Sequence, residues 1–289
     1  MNLFPALKLS QALCREAALA VAACVVLLLV VFGPPLAQHA HYHAFADQRT
    51  WFGLPFAMDV LSNLPFAIAG VIGLLAWFGA RRLADGHLHP AQPDPSRNFA
   101  ALFFAGLIVT ALGSTYYHQN PGDGSLVVDR LGMVASFAGM LALAVAQRVS
   151  ARAGWGMLAA VLVLGPVSVL VWSGTGNLLP WAVLQGGGLM LLLALAACRP
   201  VAQPPAAVAL LPVVLIYTAA KLLELGDHLV FELTHHLVSG HSLKHMVAAF
   251  AAWPVICFMH NQKKAAAPKK RARAASRQVV GLTQSQKSF

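Results

Sequence analysis

Long apolar segments, separated by short polar connections, are the feature that most constrains the fold of this chain. They cover residues 17–32, 58–79, 98–118, 126–147, 154–173, 179–197, 205–223 and 241–259. Each approaches the roughly 20 residues that an α-helix needs to cross the hydrocarbon core of a bilayer. A segment in lipid must hydrogen-bond its own backbone, which favours helices. We therefore predict an all-α, polytopic transmembrane bundle of seven core helices with one additional N-terminal helix.

The composition supports a membrane protein with one main domain. Hydrophobic residues make up 58% of the 289 residues and charged residues only 10%, against about 25% charged residues in soluble domains. The pattern divides the chain into an N-terminal signal anchor or transmembrane helix with a polar outer connection (1–57), a seven-helix membrane domain (58–260) and a basic tail (261–289). The four scattered cysteines predict neither a disulfide framework nor a thiolate metal site.

The net charge of +10 is concentrated at the C-terminal end of the chain. Eight of the 20 Lys and Arg residues lie between Lys263 and Lys287, in a tail without Asp or Glu. The tail has no aromatic interleaving and no nucleic-acid-binding motif, so we expect no nucleic-acid partner. We predict a disordered cytoplasmic tail that helps to fix the topology and contacts anionic lipid.

The distribution of Lys and Arg also predicts how the helices cross the membrane. Lys and Arg occur in connections 80–97 and 148–153, at Arg199 and in the tail. They are absent from connections 119–125, 174–178 and 224–240. The positive-inside rule places the first group, with both termini, in the cytoplasm. The N-terminal apolar run is either retained as a helix or removed as a signal peptide. The short length and Ala- and Leu-rich composition are typical of a bacterial protein, so the expected location is the inner membrane.

Polar residues at the outer ends of three segments are the strongest functional signal. His118, Asp129 and His241 all fall at this end, and His245 lies one helical turn beyond His241. Histidines four residues apart share one face of a helix and can hold one ion. Three imidazoles with one open position are typical of a catalytic zinc site, and ionisable groups at membrane depth usually mark function.

The same stretches supply candidate catalytic groups. Asp129 could accept a proton from a water molecule activated by the metal. Ser114, four residues before His118, could stabilise an oxyanion. Taken singly, each residue has a simpler interpretation, such as an interfacial histidine or an Asp129–Arg130 pair. Their convergence at one membrane face favours the metal site, which we expect water to reach directly from the outer face.

Two further polar groups have open interpretations. Lys221, Glu224 and Asp227 lie near one face of the helix predicted over 205–223 and its C-terminal extension. They form either an internal ion-pair set that neutralises Lys221 or a supporting layer around the metal ligands. His39, His41 and His43 precede the first core helix, and we predict a solvated loop there rather than a cover for the site.

The spacing of these motifs resembles that of the alkaline ceramidases, which belong to the CREST group of seven-helix membrane hydrolases. The matching elements are Ser62-Asn63, the block from Gly113 to Met133 and the pair His241 and His245. The resemblance covers about residues 47–260. It implies zinc ligands at His118, His241 and His245, a water-orienting or proton-accepting Asp129, and a Ser114 that steadies the site and the oxyanion. It also implies hydrolysis of the amide of ceramide to a sphingoid base and a fatty acid.

Two departures from the family pattern affect these expectations. Eukaryotic members bind calcium through an acidic segment, whereas this chain has Asp47 and Trp51 but Phe56 where a glutamate would fall. We therefore do not expect a calcium site. Arg130 replaces the glutamate of the family's Asp-Glu-Leu-Pro-Met element, and this arginine could alter the preferred substrate head group.

Three functions compete at this stage. The first is a zinc-dependent amidase acting on a membrane lipid, ceramide or a related N-acyl lipid. The second is a receptor-like or lipid-binding seven-helix protein with a structural zinc. The third is a proton or metal transporter, which would more often show broken helices or paired repeats at mid-membrane. The open ligand position and Ser114 favour the amidase.

Overall fold

The structure, a computed structural model, describes residues 4–85, 95–201 and 207–264. Every regular element in these residues is an α-helix, apart from two isolated β-bridges, Ala37–Asn177 and Trp51–Leu54. The predicted all-α helical bundle is therefore confirmed. Most of the predicted basic tail and the centre of the 80–97 connection lie outside the described residues.

The helices follow the predicted segments closely. They are α1 (Phe4–Phe32), α2 (Ala57–Leu61), α3 (Leu64–Asp85), α4 (Ser96–Gln119), α5 (Asp123–Arg148), α6 (Ala151–Thr175), α7 (Leu179–Ala196), α8 (Leu210–Leu225), α9 (Asp227–Leu233) and α10 (Gly240–Phe250). Helical conformation resumes over 253–264 after a two-residue turn. Within the described residues, seven spans are long and apolar enough to cross a membrane: Gln11–Phe32, Ala57–Arg82, Ser96–Gln119, Asp123–Arg148, Ala151–Thr175, Leu179–Ala196 and Gly240–Lys264. These spans indicate a multi-pass membrane protein.

Several predicted segments differ from the observed helices. The first helix begins at Phe4 rather than at residue 17, the segment 241–259 is interrupted at 251–252, and the connection predicted over 224–240 contains α9. The segment 205–223 begins only at Leu210, and the resulting α8 has 16 residues, fewer than the roughly 20 expected of a spanning helix. The segment 58–79 is interrupted between α2 and α3, where the side chains of Ser62 and Asn63 both donate to the carbonyl oxygen of Asp59 at 2.9 Å. These bonds to a nearby backbone carbonyl offer an alternative to the regular helical ladder.

The bundle is centred on the antiparallel pair α4 and α5, which carries Ser114, His118 and Asp129. Glycines allow the two backbones to approach closely. A Cβ atom on Gly106 would lie 2.3 Å from the backbone nitrogen of Ser136, and one on Gly139 would lie 2.4 Å from that of Phe103. Small residues at helix contacts are a common basis of packing in membranes, where the hydrophobic effect does not drive helices together.

The two ends of the bundle differ in charge. At one end, Arg15 donates to the carbonyl oxygens of Arg148 and Arg199 at 2.6 and 3.1 Å, and Arg152 pairs with Glu16. His118 and His241 lie at the opposite end. Basic connections predicted to share one side of the membrane thus meet at one end of the molecule. Which side of a membrane this end faces remains a prediction.

The connection between α1 and α2 crosses the end of the bundle that holds the histidines. It is anchored where the amide of Leu178 donates to the carbonyl oxygen of Leu36 at 2.7 Å. Further along, Phe45 and Asp47 are buried. The connection therefore forms a cover over this end rather than a free loop.

Candidate metal centre

Three histidines from two helices meet inside the bundle. His118 lies in the last turn of α4, and His241 and His245 occupy successive turns at the start of α10. One ligand atom from each lies within 4.8 Å of the other two, and all three side chains are buried. The predicted set is therefore brought together in a geometry that could hold a metal ion.

The orientation of His245 is set by a hydroxyl group. Its Nδ1 lies 2.7 Å from Ser62 Oγ, and Ser62 donates its own proton to the carbonyl oxygen of Asp59 at 2.9 Å. A Ser62 hydroxyl group that donates to this carbonyl oxygen accepts a hydrogen bond from His245 Nδ1–H. This assigns the neutral tautomer with a free lone pair on Nε2, which is how metal-binding histidines are usually held.

The start of α10 is held by two buried acidic residues. Asp227 accepts from the backbone amides of His241 at 2.8 Å and Ala46 at 2.9 Å. Asp59 accepts from the hydroxyl groups of Ser242 at 2.7 Å and Ser239 at 3.4 Å. Ser239 is also the N-cap of the helix. These bonds fix the position of His241 relative to the cover and to α2.

Asp59 is a site-supporting residue that the sequence interpretation missed. It is fully buried, and one of its oxygens, Oδ2, has no hydrogen-bond partner among the described residues. A signal was present, because Asp59 is the only charged residue in the predicted segment 58–79, and a charge inside an apolar segment indicates a functional or structural role.

Ser114 and Asp129 both line a cleft that begins at His245. Ser114 is buried and its hydroxyl interacts with the Asp129 carboxylate. Among the salt bridges of the described residues, none joins Asp129 to Arg130. Arg130 instead donates to Gln38 Oε1 at 2.6 Å. The Asp129 carboxylate can therefore contact a ligand or a water molecule in the cleft, as its predicted role requires.

Lys244 is a second residue that the sequence interpretation missed. Its Nζ lies 3.0 Å from His241 Nε2 and 3.0 Å from Glu224 Oε1. Glu224 also pairs with Lys221. Of the predicted set, Lys221 and Glu224 form an ion pair that reaches the histidines through Lys244, whereas Asp227 supports the backbone of His241.

Phe45 covers the histidine cluster. Its ring centroid lies 4.5 Å from that of His241 and 4.8 Å from that of His118. Nearby, His43 contacts the hydroxyl group of Tyr117 at 2.8 Å and Asp123 Oδ1 at 3.0 Å. The prediction of a solvated loop is wrong for His43, since the loop packs on the site, and Phe45 blocks the direct path from this end that we had expected for water.

An ion pair in the cover further stabilises its path. Arg49 donates to both oxygens of Asp47, at 2.8 and 2.5 Å, and to the carbonyl oxygen of Leu237 at 2.9 Å. The hydrogen bond to the Asp47 carboxylate raises the pKa of Arg49. The segment before α10 and the cover are therefore joined directly.

The lining of the cleft is polar near the histidine cluster and mostly apolar elsewhere. Its polar lining near the cluster includes Tyr42, Ser114, Asp129, Arg130, Lys244 and His245, and further polar groups come from Thr110, Ser136, Gln185, Tyr217, Lys221 and Glu224. Its apolar lining includes Leu107, Phe137, Met140, Leu189, Leu192 and Val213. This division suits an amphipathic molecule.

The hydrogen bonding of the histidines fits a shared cation. His241 Nε2 lies 3.2 Å from His118 Nε2 and 3.0 Å from Lys244 Nζ, so its single lone pair faces two potential donors. His118 Nδ1 is buried without a partner among the described residues. A metal ion held by these imidazoles would take the place of these contacts at the lone pairs, and three imidazoles are a common zinc donor set.

Comparisons with protein-family models, with curated proteins and with solved structures found no match. The resemblance to alkaline ceramidases therefore rests on the residues quoted for it, and the metal and the reaction are matters for proposal.

Proposed function

We propose that this protein is a zinc-dependent integral membrane amidase that hydrolyses the amide bond of ceramide or a related N-acyl lipid. The observation that carries the proposal is the position of the three-histidine cluster. One of its members, His245, lines the polar end of a cleft whose remaining lining is mostly apolar. A lipid can therefore place its amide at the histidines while its acyl chain extends among Leu, Phe and Met side chains.

The roles of the residues follow from their positions. His118, His241 and His245 would hold the metal. A bound zinc ion supplies polarisation of the amide carbonyl and a lowered pKa for water. Asp129 accepts a proton from the attacking water, and Ser114, which interacts with this carboxylate, orients it. Lys244 lies beside the histidines and offers a positive charge to the developing oxyanion.

The reaction balances with water as the only co-reactant. The water oxygen forms a bond to the carbonyl carbon, and the carbon–nitrogen bond of the amide breaks. Asp129 passes the proton it accepted to the leaving nitrogen. The products are a fatty acid and a free amine.

A receptor-like or lipid-binding protein with a structural zinc is the second candidate. The cover favours it, because Phe45 packs against two of the histidines and is itself only 4% exposed. A site closed on this side resembles a structural centre more than an open catalytic one. The cleft on the other side of the cluster favours the amidase.

The first test combines metal analysis with a turnover assay on purified protein. We expect about one zinc per chain, and its loss in His118→Ala and His245→Ala. His235→Ala, in an exposed position, is the matched control and should keep its zinc. Asp129→Asn should keep zinc but lose turnover of N-acyl lipids by roughly 10² or more, the usual contribution of a general base.

Two results would contradict the proposal. Full zinc occupancy in both histidine variants would place the metal elsewhere. A zinc-loaded wild-type protein that releases no fatty acid from a broad panel of N-acyl lipids would favour the receptor-like function.

A further inference from the structure

Arg130 is a buried cation at the polar end of the cleft with incomplete hydrogen bonding. Its side chain is 2% exposed, and it lines the cleft. Only Nη2 has a partner, Gln38, whereas Nε and Nη1 have none among the described residues. Burying a charge without a compensating partner is costly, so this arginine is suited to an anion that enters the cleft.

Aromatic rings surround the guanidinium group but do not satisfy its N–H groups. Its central carbon lies 3.8 Å from the ring centroid of Trp172, 5.5 Å from that of Tyr42 and 5.8 Å from that of Trp181. Such rings interact with the flat faces of a guanidinium group. The donors at its edge remain free to bind a planar anion, for which arginine is better shaped than lysine.

The other charges of the cleft leave a positive excess. Lys221 and Lys244 share the carboxylate of Glu224. With Arg130 and Asp129, the lining has three basic and two acidic side chains, a formal excess of one positive charge. A bound zinc ion would add to this excess, so the cleft favours a negatively charged ligand.

Incomplete hydrogen bonding also occurs at two arginines far from the cleft. Arg97 Nε, and Nε and Nη1 of Arg148, are buried without partners among the described residues. Neither residue lines the cleft, and both belong to the basic end of the bundle. Arg130 differs from these two arginines because it has unpartnered N–H groups and also lines the cleft.

We infer that Arg130 binds an anionic head group, so that the substrates are N-acyl amino acids whose carboxylate lies on the amine side of the scissile bond. This inference rests on the proposed amidase function. The acyl chain would occupy the apolar part of the cleft, and the carboxylate would accept a hydrogen bond from one of the two unpartnered donors of Arg130, Nε or Nη1. Hydrolysis would then yield a fatty acid and an amino acid.

The test compares two amides that share one acyl chain. N-oleoylglycine carries a carboxylate, and N-oleoylethanolamine carries a neutral hydroxyl group at a similar position. We expect kcat/KM of the zinc-loaded wild type to favour N-oleoylglycine by about 10- to 100-fold, the range for a hydrogen-bonded charge. Arg130→Gln should abolish this preference and Arg130→Lys should retain part of it. Arg97→Gln, at the other end of the bundle, should leave it unchanged.

A binding measurement separates this inference from the amidase proposal. N-oleoylglycine should raise the thermal unfolding midpoint of the wild type more than N-oleoylethanolamine does, and the difference should vanish in Arg130→Gln. Arg130-dependent binding without hydrolysis of either amide would overturn the amidase and leave the anion site standing. Equal hydrolysis and equal stabilisation by both amides would overturn the inference and leave the amidase standing. Arg130-dependent stabilisation by dioleoyl phosphatidic acid alone would overturn the assignment of a carboxylate.

Discussion

At the scale of single residues, the buried polar groups of this protein form connected chains rather than isolated pairs. Ser62 illustrates this, because its hydroxyl accepts from His245 and donates to the carbonyl oxygen of Asp59. In an apolar interior each unsatisfied polar group is costly, so residues that satisfy two partners at once are particularly effective. The hydroxyl group of Ser62 thus contributes to stability and to the orientation of a proposed ligand.

We predict that Ser62→Ala lowers zinc affinity by about 10- to 100-fold, as is typical when a hydrogen-bond partner of a metal-binding histidine is lost. The reason is that His245 would lose the acceptor for Nδ1–H and with it the fixed tautomer. Chelator competition on purified protein would measure the change. Ser168→Ala removes another buried hydroxyl, one that donates to Gly165 O at 2.6 Å, and should leave the affinity unaltered. Equal affinity in the two variants would show that Ser62 does not support the site.

The sequence predicted the residues of the site whose positions depend on helical spacing. His241 and His245 lie one turn apart, and the same regularity places Lys244 three residues after His241, so Lys244 was open to prediction although it was missed. Phe45 was not, because the path of an irregular connection across the bundle has no periodic signature. His43 was assigned to solvent for the same reason, and the structure places it against Tyr117 and Asp123.

At the scale of helices, interruptions and glycines position the site. The break between α2 and α3 places Ser62 beside His245, and Pro65, the second residue of α3, suits the first turn of a helix. Apolar periodicity predicted one continuous helix here because both parts are apolar. The order of the helices was thus readable from the sequence, whereas the break depends on local side-chain bonds to the carbonyl oxygen of Asp59.

We predict that Gly139→Ala destabilises the α4–α5 pair, since the added Cβ would lie 2.4 Å from the backbone nitrogen of Phe103 and 2.8 Å from the carbonyl oxygen of Phe99. Backbone atoms cannot move aside as a flexible side chain can, and overpacking of this kind costs about 1–3 kcal/mol. Gly156→Ala in α6 is the matched control, because its Cβ would meet nothing within 4 Å. Thermal unfolding in detergent should show a lower midpoint only for Gly139→Ala. An unchanged midpoint would mean that α4 and α5 are less closely packed.

At the scale of the whole molecule, a cluster of arginines and the histidine cluster lie at opposite ends of the bundle. Arg15, Arg148, Arg152 and Arg199 lie at one end, where Arg148 also donates to the carbonyl oxygen of Val208 at 2.8 Å. The histidine cluster, Asp129 and the cover occupy the other end. If the basic end lies in the cytoplasm, as the positive-inside rule predicts, the site region lies at the opposite leaflet and is accessible to its lipids.

We predict that the connection between α4 and α5 faces away from the cytoplasm and that the connection between α5 and α6 faces the cytoplasm. Gly124→Cys and Ala151→Cys would report on the two connections, because both positions are exposed. They should be introduced into a protein whose natural cysteines, Cys14, Cys24, Cys198 and Cys257, are replaced by serine.

A membrane-impermeant maleimide should label the Gly124→Cys variant in cells in which only the outer membrane is permeabilised. It should label the Ala151→Cys variant only after the inner membrane is also disrupted. The reason is the positive-inside rule, because Lys and Arg are absent from 119–125 and present in 148–153. The reverse labelling pattern would show that the topology is the opposite of the predicted one, with the proposed amidase site at the cytoplasmic leaflet. The lipids that reach the cleft would then be those of the inner leaflet, while the chemistry derived from His118, His241 and His245 would be unaffected.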